Sequence, residues 1–562
     1  MRSCLPLLSG LVVAIVSCGT TRPADLVLRH GLIYPDAGDS LTVESLAVRN
    51  GRIVFAGSDE LARAYIGDET RIVELEGRVV LPGLHDSHMH PRGGIGLTEI
   101  TLQDLESLPA ILDSVRSYAA AHPEKSWIRG RGWQLPVFPG ANPKKEWLDS
   151  IVSDRPVYLS AADGHSAWVN SRALALAGIT RETKDPPNGR IERDPATGEP
   201  SGTLRESAGD LVEIHLPERT SEELEAGLLR SISMANAVGI TTLHDASAGP
   251  ALLAAYAALD SAKKLTARVV AAMETDPRAG PGQVDSLRAW RGRYRGTKYF
   301  SPRAAKIFAD GVIEAKTAAL LEPYLGGGGR GEPNLSPQAM DTLVAAIDAA
   351  GLQVHVHAIG DRAVRMSLDA FEFARKHNGP RDGRPIIAHL ELIDPADIPR
   401  FASLGVIPSF QPLWAYADSY ITGLTEPVLG PVRSRWLYPI GSVARTGARL
   451  APGSDWSVSS MNPFEAIQVA ITRRAPDSPP GRPWIPEELV DLGTMLRAYT
   501  SGGAYAAGSE STTGTLELGK AADLIVLDRN IFQIPRSEVH AVRVLLTLLD
   551  GREVWRDPAW AR

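Results

Sequence analysis

From Ile240 onward the chain alternates short, nearly all-apolar runs with amphipathic stretches of helical period, and few folds accept that pattern. The apolar runs fall at residues 240–243, 269–272, 304–308, 353–357, 386–389, 406–409 and 450–455, with helical patterns at 221–237, 337–350 and 362–376 between them. Runs this apolar need cover on both faces, which a parallel sheet with crossover helices supplies. The pattern predicts an α/β fold, and the number of repeats fits a (β/α)8 TIM barrel.

The remainder of the 562 residues arranges itself around that barrel. Short apolar runs separated by turn signals such as Asn50-Gly51 occupy residues 25–80, and the same texture returns at 514–562. The two ends together predict one small composite β-sandwich, with the barrel spanning 81–513. A stretch rich in Gly, Pro and Trp, about 127–215, breaks the βα rhythm and reads as an insertion at the barrel mouth.

Composition excludes some chemistry. The net charge of -7 is spread along the chain without a basic block, which argues against a nucleic-acid partner. The two cysteines, Cys4 and Cys18, both lie in the leader, so the folded body has no disulfide or thiolate metal site. A transition metal would have to be held by histidine and carboxylate. Residues 1–18 read as a signal peptide: Arg2 is followed by an apolar run from Leu5 to Ser17, too short to span a bilayer. The expected location is therefore outside the cytoplasm. The run ends at Cys18 in the manner of a bacterial lipoprotein, so the chain is expected as a lipid-anchored or a free periplasmic protein.

In a TIM barrel the chemistry sits at the C-terminal ends of the strands. Of 13 histidines, His88, His90, His357 and His389 fall at such ends, and Asp455 follows the last strand. In His88-Met89-His90, alternation along an extended segment puts both imidazoles on one face, where they can grip one ion. His355 lies two residues before His357 and can share its face, His85 can be packing, and His244 can stand behind the site or face a substrate.

These motifs resemble the amidohydrolase superfamily, in particular the branch typified by N-substituted formamide deformylase. The likeness is carried by Leu81-Pro82-Gly83-Leu84-His85-Asp86-Ser87-His88-Met89-His90, by Lys306-Ile307-Phe308-Ala309-Asp310-Gly311, by His357-Ala358-Ile359-Gly360-Asp361 and by Gly453-Ser454-Asp455-Trp456. Within the insertion it extends to Trp127–Trp133 and Asp163–Asn170, and it ends in the return segment Gly514–Leu524.

The resemblance implies two divalent metal ions, zinc first among them, bridged by Lys306 carboxylated with carbon dioxide. It places His88, His90 and Asp455 on one metal and His357 and His389 on the other. It implies hydrolysis of a carbon–nitrogen bond, other than a peptide bond, in a small amide-like substrate, with Asp455 handling the proton. The same site can serve an ester, a cyclic amide or a ring deamination, and a non-catalytic binding protein would be marked by missing ligands. His165 is a candidate oxyanion donor. Trp133, with Phe138, Trp147 and Trp168, either walls a partly apolar substrate or forms the insertion's own core. Nothing in the sequence speaks to oligomeric state.

Overall fold

Seven strands pair side by side in one sheet, in chain order: Leu84–Met89, Ile240–Ala248, Arg268–Glu274, Phe300–Phe308, Gln353–Ala358, Ile386–His389 and Ile407–Phe410. Every neighbouring pair is parallel. This computed structural model describes residues 22–560; the leader read at 1–18, with Cys4 and Cys18, lies outside the described residues.

The sheet curls until its two edge strands approach each other, and residues 450–456 occupy the gap. Ala451 N and Gly453 N donate to Pro408 O and Phe410 O, both at 3.1 Å, on one side. On the other side Ser87 N donates to Pro452 O at 3.0 Å, Asp455 N to His88 O at 2.7 Å, and His90 N to Trp456 O at 2.6 Å. The stave expected at 450–455 is thus present but is not a regular strand. Pro408 and Pro452 have no N–H to give, so the ladder cannot run unbroken. Gly453 is required by closeness: a Cβ there would stand 2.5 Å from His88 N and 2.6 Å from His88 Cβ.

Helices cover the sheet's outer face. Ser221–Ala237 opens with a capping box between Thr220 and Glu223, and Pro337–Ala349 is capped by Ser336. With Asp361–Asn378 they pack apolar faces (Ile232, Leu343, Leu368) against Leu243, Val269, Ile307 and Ile387 of the strands.

The chain ends form two further sheets. One has four strands, from Leu26–Arg29 to Arg71–Glu74, with a hairpin at Asn50-Gly51 whose two positive φ angles, 50° and 74°, suit the tight turn read from the sequence. The other has five strands and mixes the termini: Leu524–Leu527 lies antiparallel to Val79–Pro82. Leu28, Val48 and Ile53 of the first share one buried cluster with Val80, Leu524 and Leu546 of the second. Arg268, at the start of a barrel strand, ties the barrel to this region. Its Nε donates to Asp523 at 2.9 Å and its Nη2 to Asp550 at 2.5 Å, while Tyr299 donates to Asp550 at 2.7 Å.

A six-stranded sheet from Ile100–Thr101 to Pro200–Glu206 stands apart from the barrel. It begins earlier than the 127 expected for the insertion, because its first strand has only two residues and leaves no periodic trace in the sequence. Trp133, Phe138, Trp147 and Trp168 pack edge to face and stacked at its centre, with ring centroids 5.3–6.5 Å apart.

Asp523 is almost fully buried against Arg268, so removing it leaves a guanidinium without its main partner. Asp523→Ala is expected to lower stability by about 3 kcal/mol, the scale of breaking a buried pair from one side. Chemical denaturation checks this; an unchanged midpoint would show that Asp550 alone holds the junction.

Candidate metal centre

Because the strands are parallel, their C-terminal ends form one rim, and the side chains singled out at those ends converge there. His88 lies one residue before the end of the first strand with His90 just beyond it, Lys306 lies in the fourth, His355 and His357 in the fifth, His389 at the end of the sixth, and Asp455 in the closing segment. Asp455 Oδ1 stands 3.1 Å from His90 Nε2 and 3.5 Å from His88 Nε2, and its Oδ2 is 4.0 Å from His389 Nδ1. The rings of His389 and His357 are 4.4 Å apart. His90, Lys306, His357, His389 and Asp455 all line one cavity of about 840 Å³, and His88 lies buried beneath it.

Two of these residues sit on strained backbone. His389 has φ 74° and Asp455 φ 54°, both in the left-handed region that ordinary side chains avoid. Such conformations cost about 1–3 kcal/mol each and persist where the surroundings dictate them. Here the surroundings are hydrogen bonds. Asp86 Oδ1 accepts from His88 N and Ser454 N, both at 3.1 Å, pinning the closing segment to the first strand.

Burial governs the electrostatics. It holds His88 and His357 well below the usual imidazole range and His389 at about 3, with neighbouring cationic groups adding to the effect at His88 and His357. These three imidazoles are therefore neutral, each with one nitrogen lone pair that a cation can take. Burial likewise pushes the Lys306 amine down to about 7. For Asp455 burial pulls upward, but its contact with His90 and the neighbouring His389 and Lys306 side chains prevail and keep its carboxyl below the ordinary value.

The buried atoms His88 Nε2, His389 Nδ1, Lys306 Nζ and Asp455 Oδ1 have no hydrogen-bond partner. Orphaned polar atoms are costly in a protein interior. Three nitrogens here converge with the one ionised carboxylate, and the donor atoms of His88, His90 and Asp455 lie within 4.8 Å of one another. Nitrogen and oxygen donors so gathered fit a divalent cation such as zinc.

Several neighbours orient the donors. His88 Nδ1 shares a hydrogen bond of 2.8 Å with His355 Nε2, which turns His88 Nε2 toward Asp455. Trp414 stacks on His389 at 5.9 Å with its plane 2° away, and its indole N–H donates to Ser459 at 2.9 Å. Asp310, which sequence reasoning quoted within a motif but gave no role, accepts from the N–H groups of Ala319, Ile359 and Gly360 at 2.9–3.0 Å and stands 3.7 Å from His357 Nε2.

The three candidate substrate residues part company. His165 lines the cavity, its ring 5.0 Å from His357 and its Nδ1 2.8 Å from Glu206. Trp133 does not reach the cavity: it is fully buried in the insertion's core, and its indole N–H donates to Leu159 O at 2.9 Å. His244 is also withdrawn. It is buried, burial holds its imidazole down at about 3, and it belongs with His85 and His355 to the layer beneath the rim. Alternation along its strand turns the adjacent Asp245 the other way; Asp245 Oδ2 accepts from Tyr256 at 2.9 Å. Arg131 was not singled out from the sequence, yet it lines the cavity; its one signal is its place between two glycines of a strand.

Residues 71–555 match the sequence profile of the amidohydrolase family. The chain is similar to the protein LONG AFTER FAR-RED 3 of Arabidopsis thaliana, 32% identical over 98% of this chain and 95% of that protein. It is 26% identical to the N-substituted formamide deformylase of Arthrobacter pascens, over 94% of this chain and 98% of that one. Among solved structures, an uncharacterized metal-dependent hydrolase from Pyrococcus furiosus superposes with a TM-score of 0.69 at 26% identity, covering 90% of this chain and 99% of that one.

If His355 acts by aiming His88, its loss should weaken ion binding without removing a donor. His355→Ala is expected to lower zinc affinity about 10–100-fold, the usual cost of losing such a partner, and His355→Gln to recover part of it. Competition with a chromophoric chelator measures this; unchanged affinity in His355→Ala would rule the orienting role out.

Proposed function

The chain belongs to the amidohydrolase family, and from that premise we propose that it hydrolyses a carbon–nitrogen bond, other than a peptide bond, in a small amide-like substrate. The observation that carries this is the meeting of four imidazoles, one lysine and one aspartate at a single cavity, with buried donor atoms that have no partner in the protein. A non-catalytic binding protein would have no need of that costly set. The full-length likeness to an N-substituted formamide deformylase supports the choice of bond.

The residues fit two divalent ions, zinc first, with His88, His90 and Asp455 on one side and His357 and His389 on the other. Ions bound there would polarise the substrate carbonyl and make a water acidic enough to ionise near neutral pH. Lys306 is proposed to be carboxylated: its Nζ bonds to the carbon of carbon dioxide, one proton leaves, and the product is an anionic carbamate with two oxygens. A fully buried amine without a hydrogen-bond partner, two residues before the end of an apolar strand, supports this, since an ammonium there would repel cations and remain unsolvated.

The chain's own residues then manage the proton. Asp455, ionised and held between His88 and His90, accepts it from the attacking water and delivers it to the nitrogen as the carbon–nitrogen bond breaks. His165 sits on the far side of His357, where Glu206 pushes its pKa up to about 9 against burial, so it can donate to a developing oxyanion. Outside the cytoplasm, with Cys18 as a lipid anchor, is the proposed location; its support is the leader sequence.

Two measurements on metal-replete protein test the mechanism. Asp455→Asn should fold and lose at least about 10²-fold in turnover on an amide hit, the low end for general-base catalysis; near-normal turnover with metal bound would remove Asp455 as proton carrier. Lys306→Ala should lose both metal and activity, and short carboxylic acids should restore part of each by standing in for the carbamate. A bare amine on Lys306 in active, fully metallated crystals would overturn the bridge.

A further inference from the structure

The cavity holds a cation that the proposed hydrolysis does not use. Arg131 lies within the strand Ile128–Trp133 of the insertion, two residues before its end, and lines the cavity together with His90, Asp455 and Ser457. Its side chain makes no hydrogen bond and no ion pair among the described residues, and its Nε is a buried donor without a partner. Glu99 is the carboxylate whose charge reaches it, but Glu99 is already engaged by two other arginines, Arg219 and Arg129, the latter at 3.2 Å. Three guanidinium groups thus share one carboxylate, and Arg131 is the one left over.

The protein nonetheless takes care to hold this side chain still. The glycine-rich turn after His90 leaves room for it: a Cβ at Gly96 would stand 2.8 Å from Arg131 Cδ and 3.0 Å from its Nε, and one at Gly93 would stand 2.9 Å from its Nη1. The Trp456 ring faces the guanidinium at 5.7 Å. Trp456 follows Asp455 directly, and the Cβ position of Gly93 also lies 2.6 Å from Ser457 Oγ. Arg131 is therefore fixed against the same chain segment that presents Asp455. A rigid, partly buried and uncompensated guanidinium is poor for stability and well suited to a planar anion, which it can bind through two parallel N–H donors.

We infer that Arg131 recognises a carboxylate on the substrate, so that the amide cleaved is one bearing a free carboxyl group near the scissile bond, on the His90–Asp455 side of the site. The inference rests on the amidohydrolase reading for the amide and on Arg131 alone for the carboxylate. The missing counter-charge is supplied by the substrate, which desolvates the guanidinium only when the right ligand enters. Lysine would supply the charge without the fork, and a neutral residue neither.

Binding and hydrolysis are measured separately, so that each claim can fail alone. The probes are N-benzoylglycine and N-acetylleucine with their carboxamide counterparts, titrated calorimetrically into metal-replete Asp455→Asn protein. Each acid is expected to bind at least about tenfold more tightly than its carboxamide, the scale of a charge-assisted pair. Adding Arg131→Met should abolish that preference while leaving carboxamide affinity within about twofold, and Arg131→Lys should keep part of it. Equal affinity for acid and carboxamide, no binding of either, or a preference that survives Arg131→Met would each overturn the inference. Should the methionine variant fail to fold, the acid-to-carboxamide ratio of the parent protein and of Arg131→Lys still decides. Discrimination in binding without hydrolysis of any amide by the unmutated enzyme would leave Arg131 in its role and overturn the hydrolytic reading instead.

Discussion

The approach of residues 450–456 to the first barrel strand is the contact on which the rest depends. It closes the gap between the two edges of a parallel sheet with backbone hydrogen bonds on both sides, and it does so at the strand that carries His88 and His90. Closure and site assembly are one event. The bonds from Asp455 N to His88 O and from His90 N to Trp456 O set the carboxylate between the two imidazoles. Gly453 permits the approach, and Asp86 staples it from below.

What this closure gathers would be unfavourable on its own. Neutral imidazoles, an unpartnered amine and one ionised carboxylate are buried together, and the left-handed backbone at His389 and Asp455 adds its own cost. The barrel's apolar shell and outer helices carry that load, because their packing is independent of the rim. The orphaned donors are the reverse side of ligation capacity: an atom already satisfied by the protein is not available to an ion.

The insertion supplies the other wall of the cavity. Its tryptophans are spent on its own core, which makes a small sheet rigid enough to hold Arg131 and His165 at the mouth. The division is physical. The barrel rim provides donors for cations and a carboxylate for the proton, whereas the insertion provides cationic and hydrogen-bonding groups that face whatever enters.

The barrel strands, the outer helices and the mixing of the two termini were legible in the sequence, because burial on both faces or on one stripe leaves a periodic apolar trace. The strand-end positions of His88, His90, His357, His389 and Asp455 were legible too, since a polar side chain at the end of an apolar run has few reasons to be there, whereas Lys306 was marked by the family resemblance. For Trp133 and His244 two placements were open in the sequence, because residue type does not say which side of a sheet or which layer a side chain occupies. The irregular stave at 450–456, the early start of the insertion sheet at Ile100, the His88–His355 bond and the unpaired state of Arg131 have no local signature at all. The sequence by itself determined which residues have the chemistry to bind ions and which runs must be buried. Only the tertiary structure decided which of them meet and which charge is left without a partner, because both depend on distances between segments hundreds of residues apart, and local periodicity carries no information about those distances.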